Sequence, residues 1–214
     1  DGRDEIVVLG SSRSEAFEIG QSDSTLQVQF RGKTLSILNP LELVGNPIER
    51  ITINARSGDD TITIRDLNKV GATVLTVNGD GGDDTIDASG ADLGTVRLLI
   101  EGGNNDDELT GSESAETIQG GLGNDVIRGG GGNDTILGGD GDDDIDGQAG
   151  DDFIDAEAGR DLVLGGDGAD VLRGGLDADT LEGSAGNDTL VGGFGDDALE
   201  GDQGDDMVLG GEGF

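Results

Sequence analysis

The sequence predicts an all-β fold of stacked coils, in which short strands from successive turns of the chain pair in parallel. Three observations carry that prediction. From Gly102 to Leu209 the chain divides, without insertion or deletion, into twelve nine-residue units, and the eighth position of every unit is a branched aliphatic. The sixth position is Asp in eleven of the twelve, with Glu116 the exception. Gly fills the first position in eleven units and the fourth in nine. The unit therefore reads G-G-x-G-x-D-x-U-x with U aliphatic, and a flexible acidic linker has no use for an aliphatic residue at a fixed ninth place.

In chain order, residues 1–50 are the least repetitive. Gly2-Arg3-Asp4-Glu5-Ile6-Val7-Val8 looks like the end of a unit, and the opening residues resemble neither a signal peptide nor a natural start, so the stretch reads as a segment of a longer protein. Thr25–Phe30 alternates as T-L-Q-V-Q-F, and Thr34–Leu38 follows after Arg31-Gly32-Lys33, which predicts a β-hairpin inserted in or capping the stack. Such a cap would cover strand edges left open at the end of a solenoid. Across 51–101 the period widens. Gly58-Asp59-Asp60-Thr61-Ile62 and Gly82-Asp83-Asp84-Thr85-Ile86 repeat the later part of the unit, with Ile62, Ile86 and Leu109 spaced by 24 and 23 residues. Ile51/Ile53, Leu75/Val77 and Leu98/Ile100 keep that rhythm and alternate with polar residues, as half-buried strands do. The organisation that follows is 1–50 for N-terminal strands and hairpin, 51–101 for wide coils, and 102–214 for nonapeptide coils.

Within a unit, x-U-x is the expected strand, three residues long, and the other six residues turn the chain through about half a circle, helped by glycines that reach positive φ. Two units then make an 18-residue coil with a strand on each side. Same-side loops recur 18 residues apart, so Asp125 lies over Asp143 and Asp134 over Asp152, in two columns with the ~4.8 Å spacing of paired strands. Like charges so close repel unless a cation lies between them. Ten pairs arise: Asp107/Asp125, Glu116/Asp134, Asp125/Asp143, Asp134/Asp152, Asp143/Asp161, Asp152/Asp170, Asp161/Asp179, Asp170/Asp188, Asp179/Asp197 and Asp188/Asp206.

Composition narrows the chemistry. There are 47 acidic and 12 basic residues, a net charge of −35, and no His or Cys. This leaves no Ser-His-Asp triad, no thiol nucleophile, no zinc or haem site built on imidazole or thiolate, and no disulfide. Hard cations remain. So acidic a chain repels nucleic acid and anionic membrane faces, and no apolar run is long enough to span a bilayer.

Units 120–128 (GGLGNDVIR), 129–137 (GGGGNDTIL), 138–146 (GGDGDDDID), 165–173 (GGDGADVLR) and 192–200 (GGFGDDALE) resemble the calcium-binding nonapeptides of the RTX, or haemolysin-type, family of secreted bacterial proteins. The resemblance covers about half the chain. It implies a right-handed parallel β-roll of 18-residue coils, here continuous with wider parallel β-helix coils on the N-terminal side. It also implies roughly eight to ten Ca²⁺ between same-side loops, bound by Asp carboxylates and by backbone carbonyls of the glycine turns, an oxygen set that suits Ca²⁺ better than Mg²⁺. Carried onto this sequence, the metal positions are Asp107; Gly120, Gly121, Gly123 and Asp125; Gly129, Gly130, Gly132 and Asp134; and Gly138, Gly139, Gly141 and Asp143. They continue through Gly150 and Asp152; Gly159 and Asp161; Gly165, Gly166, Gly168 and Asp170; Asp179; Gly186 and Asp188; Gly192, Gly193, Gly195 and Asp197; and Gly204 and Asp206. Ten filled pairs would bring the charge from −35 to about −15. Three units depart from the pattern. Unit 111–119 (GSESAETIQ) lacks Gly at positions two and four and carries Glu116, which predicts a weak or empty site. Unit 156–164 has Ala156, Glu157 and Arg160 in its turn, and unit 174–182 has Asp177 in place of Gly, so those loops are expected to be impaired.

Other motifs have plainer readings. Asn124, Asn133 and Asn187 precede Asp, twice as N-D-T, and are read as turn residues that tolerate positive φ in preference to glycosylation acceptors. Asp140-Gly141-Asp142-Asp143-Asp144 lacks the later Gly and Glu of an EF-hand. Adjacent acids such as Asp59-Asp60, Asp83-Asp84 and Asp151-Asp152 are read as solvated loops, with neighbouring side chains pointing apart, in preference to catalytic pairs. No catalytic residue is assigned, and the chain is not read as an enzyme. A polysaccharide lyase or epimerase would need a basic cluster, against which stand Lys33, Lys69 and scattered arginines, Arg128, Arg160 and Arg173 among them. An adhesin module binding polysaccharide or a cell surface is the remaining alternative. The reading adopted is a secreted or cell-surface, extracellular module that folds on binding calcium.

Overall fold

The structure is a computed structural model that describes residues 5–9, 16–22, 25–30, 33–37, 50–65, 67 and 74–213. The opening residues 1–4, the turn residues Arg31-Gly32, Leu38, Lys69 and Phe214 lie outside the described residues. Among the described residues every regular element is a strand. The N-terminal strands are β1 (Glu5–Leu9), β2 (Ala16–Ser22), β3 (Thr25–Phe30) and β4 (Lys33–Ile37). The wide coils follow with β5 (Arg50–Ser57), β6 (Thr61–Ile64), β7 (Val74–Gly81), β8 (Thr85–Asp87), β9 (Arg97–Asn104) and β10 (Glu108–Thr110). The nonapeptide coils comprise β11 (Thr117–Leu122), β12 (Val126–Gly131), β13 (Thr135–Asp140), β14 (Asp144–Ala149), β15 (Phe153–Ala158), β16 (Leu162–Asp167), β17 (Val171–Leu176), β18 (Thr180–Ala185), β19 (Thr189–Phe194), β20 (Ala198–Glu200) and β21 (Met207–Glu212).

These strands make two parallel sheets of a β-solenoid. The first runs β1-β5-β7-β9-β11-β13-β15-β17-β19-β21, and the second runs β20-β18-β16-β14-β12-β10-β8-β6-β2-β3-β4. Successive coils pair 18 residues apart, as Ile118 with Ile136 and Ile127 with Ile145. The register places one position-eight aliphatic directly over the next, and from Leu109 to Leu190 each is wholly buried. Val208, in β21 at the edge of the first sheet, is 45% exposed. Ile6 pairs with Ile51, so β1 begins the first sheet. At the same end β2 joins β6 in parallel, and β3 and β4 follow it antiparallel. The expected hairpin is therefore two strands of a three-stranded meander that extends the second sheet. Its first strand, β2, was not expected from the sequence.

One expectation is corrected. The strands of the nonapeptide coils are mostly six residues long, not three, and run through positions seven, eight, nine, one, two and three. Extended backbone needs no side chain to pair. The pleat continues past the aliphatic, so position one also faces inward, which gives Thr117–Leu122 its buried Ile118 and buried Gly120. A glycine there keeps the coil thin, since a Cβ on Gly129 would sit 2.6 Å from the carbonyl oxygen of Gly147 in the next coil.

The wide coils differ from the narrow ones on one side only. Between β5 and β6, and again between β7 and β8, the chain keeps a nine-residue unit: Ala55–Thr63 and Gly79–Asp87 have the same internal register as Gly102–Thr110. All the additional residues fall in the return half, where Leu67, Ala91, Leu93 and Val96 are buried and enlarge the core. Each nonapeptide coil has two aliphatics, whereas the wide coils add several more, and each fully buried one contributes ~1.5–3 kcal/mol.

Two substitutions test the packing. In the calcium-supplemented chain, Ile145→Ala is expected to lower stability by ~2–5 kcal/mol in urea unfolding. Val208→Ala, at the edge of the first sheet, is expected to change it by no more than ~0.5 kcal/mol.

Candidate metal centre

Nine of the twelve half-coils of the nonapeptide region turn at G-x-D, and the sixth-position acids of all twelve form two columns along the edges of the solenoid. Turns leading from the first sheet to the second carry Asp60, Asp84, Asp107, Asp125, Asp143, Asp161, Asp179 and Asp197. Turns leading back carry Glu116, Asp134, Asp152, Asp170, Asp188 and Asp206. The carboxylate of each Asp reaches the turn of the preceding coil on its own side. Its Oδ1 accepts the backbone N–H of the acid there, as Asp125 N–H to Asp143 Oδ1 at 2.8 Å and Asp134 N–H to Asp152 Oδ1 at 2.8 Å. The same bond links each consecutive pair in both columns, at 2.7–3.0 Å.

The second oxygen has no such use. Oδ2 of Asp84, Asp107, Asp125, Asp134, Asp143, Asp152, Asp161, Asp170, Asp179, Asp188 and Asp197 is buried without a hydrogen-bond partner. From Asp60 to Asp188 these aspartates are only 1–3% exposed. The sequence reading of adjacent acids as solvated loops is therefore corrected for the second acid of each pair: Asp60, Asp84 and Asp152 are buried, while the first acid of each turn, Asp59, Asp83 and Asp151, is exposed. Oδ2 lies over the position-one glycine of its own turn, where a Cβ on Gly147 would meet Asp152 Oδ2 at 2.5 Å. Carbonyl oxygens of the turns also project toward the next same-side loop. A Cβ on Gly141 (φ 138°) would collide with the Gly123 carbonyl, and one on Gly139 (φ 124°) with that of Gly121. Among the described residues no three acidic side chains converge on a point. The oxygens left facing the interloop spaces are Asp carboxylate Oδ2 atoms and backbone carbonyls, all hard donors, a set that fits Ca²⁺.

Burial dominates the electrostatics of the columns. It raises the carboxyls of Asp84, Asp134, Asp143 and Asp161 from 3.8 to about 7, that of Asp107 to about 8, and those of Asp152, Asp170 and Asp179 to about 6. The N–H bond from the preceding turn offsets part of the rise, and neighbouring acids add to it. Asp125 and Asp188 shift upward for the same first cause.

The three irregular units resolve differently. In unit 111–119 neither Ser112 nor Ser114 adopts positive φ. The longer Glu116 folds back on its own loop, where its carboxylate accepts the Ser112 N–H at 2.9 Å and the Ser112 hydroxyl at 2.7 Å. It is satisfied without an ion. Glu157 (φ 74°) and Asp177 (φ 71°), by contrast, take the left-handed conformation that glycine holds in neighbouring units, and Asp161 and Asp179 stay in their column. The turn of those two units is therefore kept at a backbone cost that Gly would avoid.

Asn at position five is explained otherwise than by positive φ, which none of Asn124, Asn133 and Asn187 adopts. Their Oδ1 atoms accept the N–H of the fifth residue in the next same-side turn: Asp142, Asp151 and Asp205. This outer ladder runs opposite in sense to the inner one. The arginines form separate stacked pairs: Arg128 with Glu108 at 3.7 Å, Arg160 with Asp142 at 2.6 Å and Arg173 with Asp155 at 3.6 Å.

Four copies of the RTX calcium-binding nonapeptide repeat are matched, over residues 110–145, 137–172, 146–181 and 182–214. Residues 110–214 belong to the RTX calcium-binding repeat family. No curated protein matches it. The RTX assignment leaves the wide coils unmatched, although the acid column runs through them unbroken. The sequence reading missed Asp60 and Asp84 as column members, and the signal was available in the repeated Gly-Asp-Asp-Thr-Ile.

The pH dependence has a definite sign. A carboxyl whose folded value lies above its unfolded value gives stability that is fully present below about pH 4 and lost as pH rises through the folded values, here about 6–8. Without divalent cations, the chain is expected to show more β signal in far-UV circular dichroism at pH 4.5 than at pH 8. With calcium the trend is expected to reverse below about pH 6, because the ion needs the deprotonated form.

Proposed function

We propose that this chain is a non-catalytic calcium-binding module of a secreted or cell-surface protein, and that it folds when calcium fills the spaces between its stacked turns. The observation that supports this reading is the repeated buried Oδ2 without a partner, facing turns whose carbonyls point the same way. Residues 107–206 hold ten same-side pairs, of which Glu116/Asp134 is the one whose first acid is already satisfied by Ser112. Roughly eight to ten ions is the capacity that follows.

Residues at positions two and four would offer carbonyls, and position six a carboxylate, to each ion. The bound ion supplies the positive charge that lets two facing carboxylates remain ionised and close. Where calcium is scarce, repulsion along both columns keeps the chain open. At ~10⁻⁴–10⁻³ M calcium, typical for extracellular modules, binding free energy becomes folding free energy. That behaviour suits a polypeptide exported in extended form and folded outside.

A calcium titration followed by far-UV circular dichroism, with magnesium at equal ionic strength as control, tests the proposal. A sigmoidal rise of β signal with calcium alone is expected, and a spectrum that is β-rich in chelator at neutral pH and indifferent to calcium would overturn it. Calorimetric stoichiometry adds residue detail. Asp143→Asn, which removes a charge shared by two pairs, is expected to bind two fewer ions. The triple change Ser112→Gly, Ser114→Gly and Glu116→Asp is expected to bind one more.

A further inference from the structure

The RTX match begins at residue 110, yet the wide coils before it hold the same turn. Asp80 (φ 72°) and Gly82 (φ 123°) precede Asp84 as Gly121 (φ 119°) and Gly123 (φ 129°) precede Asp125. Arg56 (φ 82°) and Gly58 (φ 115°) precede Asp60 in the same way. The hydrogen bonds correspond as well. Gly58 N–H donates to the Gly81 carbonyl at 2.7 Å, as Gly123 N–H does to that of Asp140 at 2.8 Å. Thr85 N–H donates to the Asp60 carbonyl at 2.8 Å, as Val126 N–H does to that of Asp107 at 2.8 Å. The acid ladder is also continuous, with Asp60 N–H on Asp84 Oδ1 and Asp84 N–H on Asp107 Oδ1, both at 2.7 Å.

Two features point to a ligand. Asp84 and Asp107 are each 2% exposed, and Oδ2 of each is buried with no partner. The turn carbonyls are aimed at the same interloop spaces: a Cβ on Gly82 would lie 2.6 Å from the Gly58 carbonyl oxygen, and one on Gly103 would collide with that of Asp80. The return side of the same coils is built otherwise. It carries Leu67, Leu93 and Val96 in the core, and its one acid between β8 and β9, Asp92, accepts the Gly94 N–H.

From this we infer that two further divalent-cation sites lie between the turns 58–60, 82–84 and 105–107, with Asp84 common to both, so that calcium occupies this edge of the wide coils. The inference rests on the calcium-binding reading of the nonapeptide coils and extends it to coils of a different circumference. The turn's own residues set the site, and the length of the return half is irrelevant to it. Metal bound there would couple the wide coils to the nonapeptide coils along a single column running from Asp60 to Asp197.

Crystals of the full chain grown with calcium, measured near the long-wavelength range where calcium scatters anomalously, test the inference without any substitution. Peaks between Asp60 and Asp84 and between Asp84 and Asp107, besides those in the nonapeptide coils, are the expected result. Peaks confined to loops from Asp107 onward would overturn the inference and leave the proposed function standing. Absence of peaks throughout would overturn both. In solution, Asp84→Asn is expected to bind two fewer calcium ions by calorimetry, while Asp83→Asn, an exposed neighbour at a position where Asn is common, is expected to bind the full number. An Asp84→Asn chain with undiminished stoichiometry would contradict the inference.

Discussion

A carboxylate oxygen buried without a partner recurs along both edges of this solenoid, and the rest of the architecture is arranged around it. From Leu109 to Leu190 each half-coil of the nonapeptide region buries one aliphatic side chain, a contribution of ~1.5–3 kcal/mol. Most also bury an aspartate, whose ionised form costs several kcal/mol to desolvate when no opposite charge compensates it. The N–H bond to Oδ1 recovers part of that cost and leaves Oδ2 unaddressed. On the proposed reading the second term outweighs the first at neutral pH, which would make the narrow coils depend on protons or cations in a way that an ordinary hydrophobic core does not.

The other features follow from keeping that oxygen in place. Position one is glycine in nearly every unit because the carboxylate of the same turn lies where a Cβ would be. Positions two and four hold positive φ so that carbonyls face the adjacent loop, and where glycine is missing, as at Glu157 and Asp177, the backbone still takes that conformation. Unit 111–119 shows what happens when the constraint is lifted. Ser112 satisfies Glu116 internally, and the positive φ values disappear together with the unpartnered oxygen.

Much of this was legible in the sequence, for a physical reason. A solenoid converts sequence period directly into spatial register, so the 18-residue spacing of Asp125 and Asp143 and the stacking of Ile127 on Ile145 could be read from numbering alone. What could not be read was backbone behaviour that side chains do not encode. The strands extend into glycines, which offer no β propensity. The role of Asn133 lies in a bond to the next coil, not in its own φ. The half-sided character of the wide coils was hidden because Ala55-Arg56-Ser57 does not resemble a glycine turn, although it adopts the same conformation. β2 was missed because its pairing with β6 is long-range, although Ser22-Asp23-Ser24 after it is a turn signal.

The central claim is that buried negative charge alone makes the fold conditional on calcium. It is tested most directly by removing the charge while keeping the shape. Asn retains the Oδ1 acceptor of the inner ladder, so a chain with Asn at 125, 134, 143, 152, 161, 170, 179 and 188 keeps the bonds and loses the repulsion. The measurement is its far-UV circular dichroism in chelator at neutral pH. The account predicts a β spectrum that calcium does not change, in contrast to the parent chain. A spectrum that stays disordered without calcium would contradict it, and would mean that the ion's coordination bonds, not the relief of buried charge, hold the coils together.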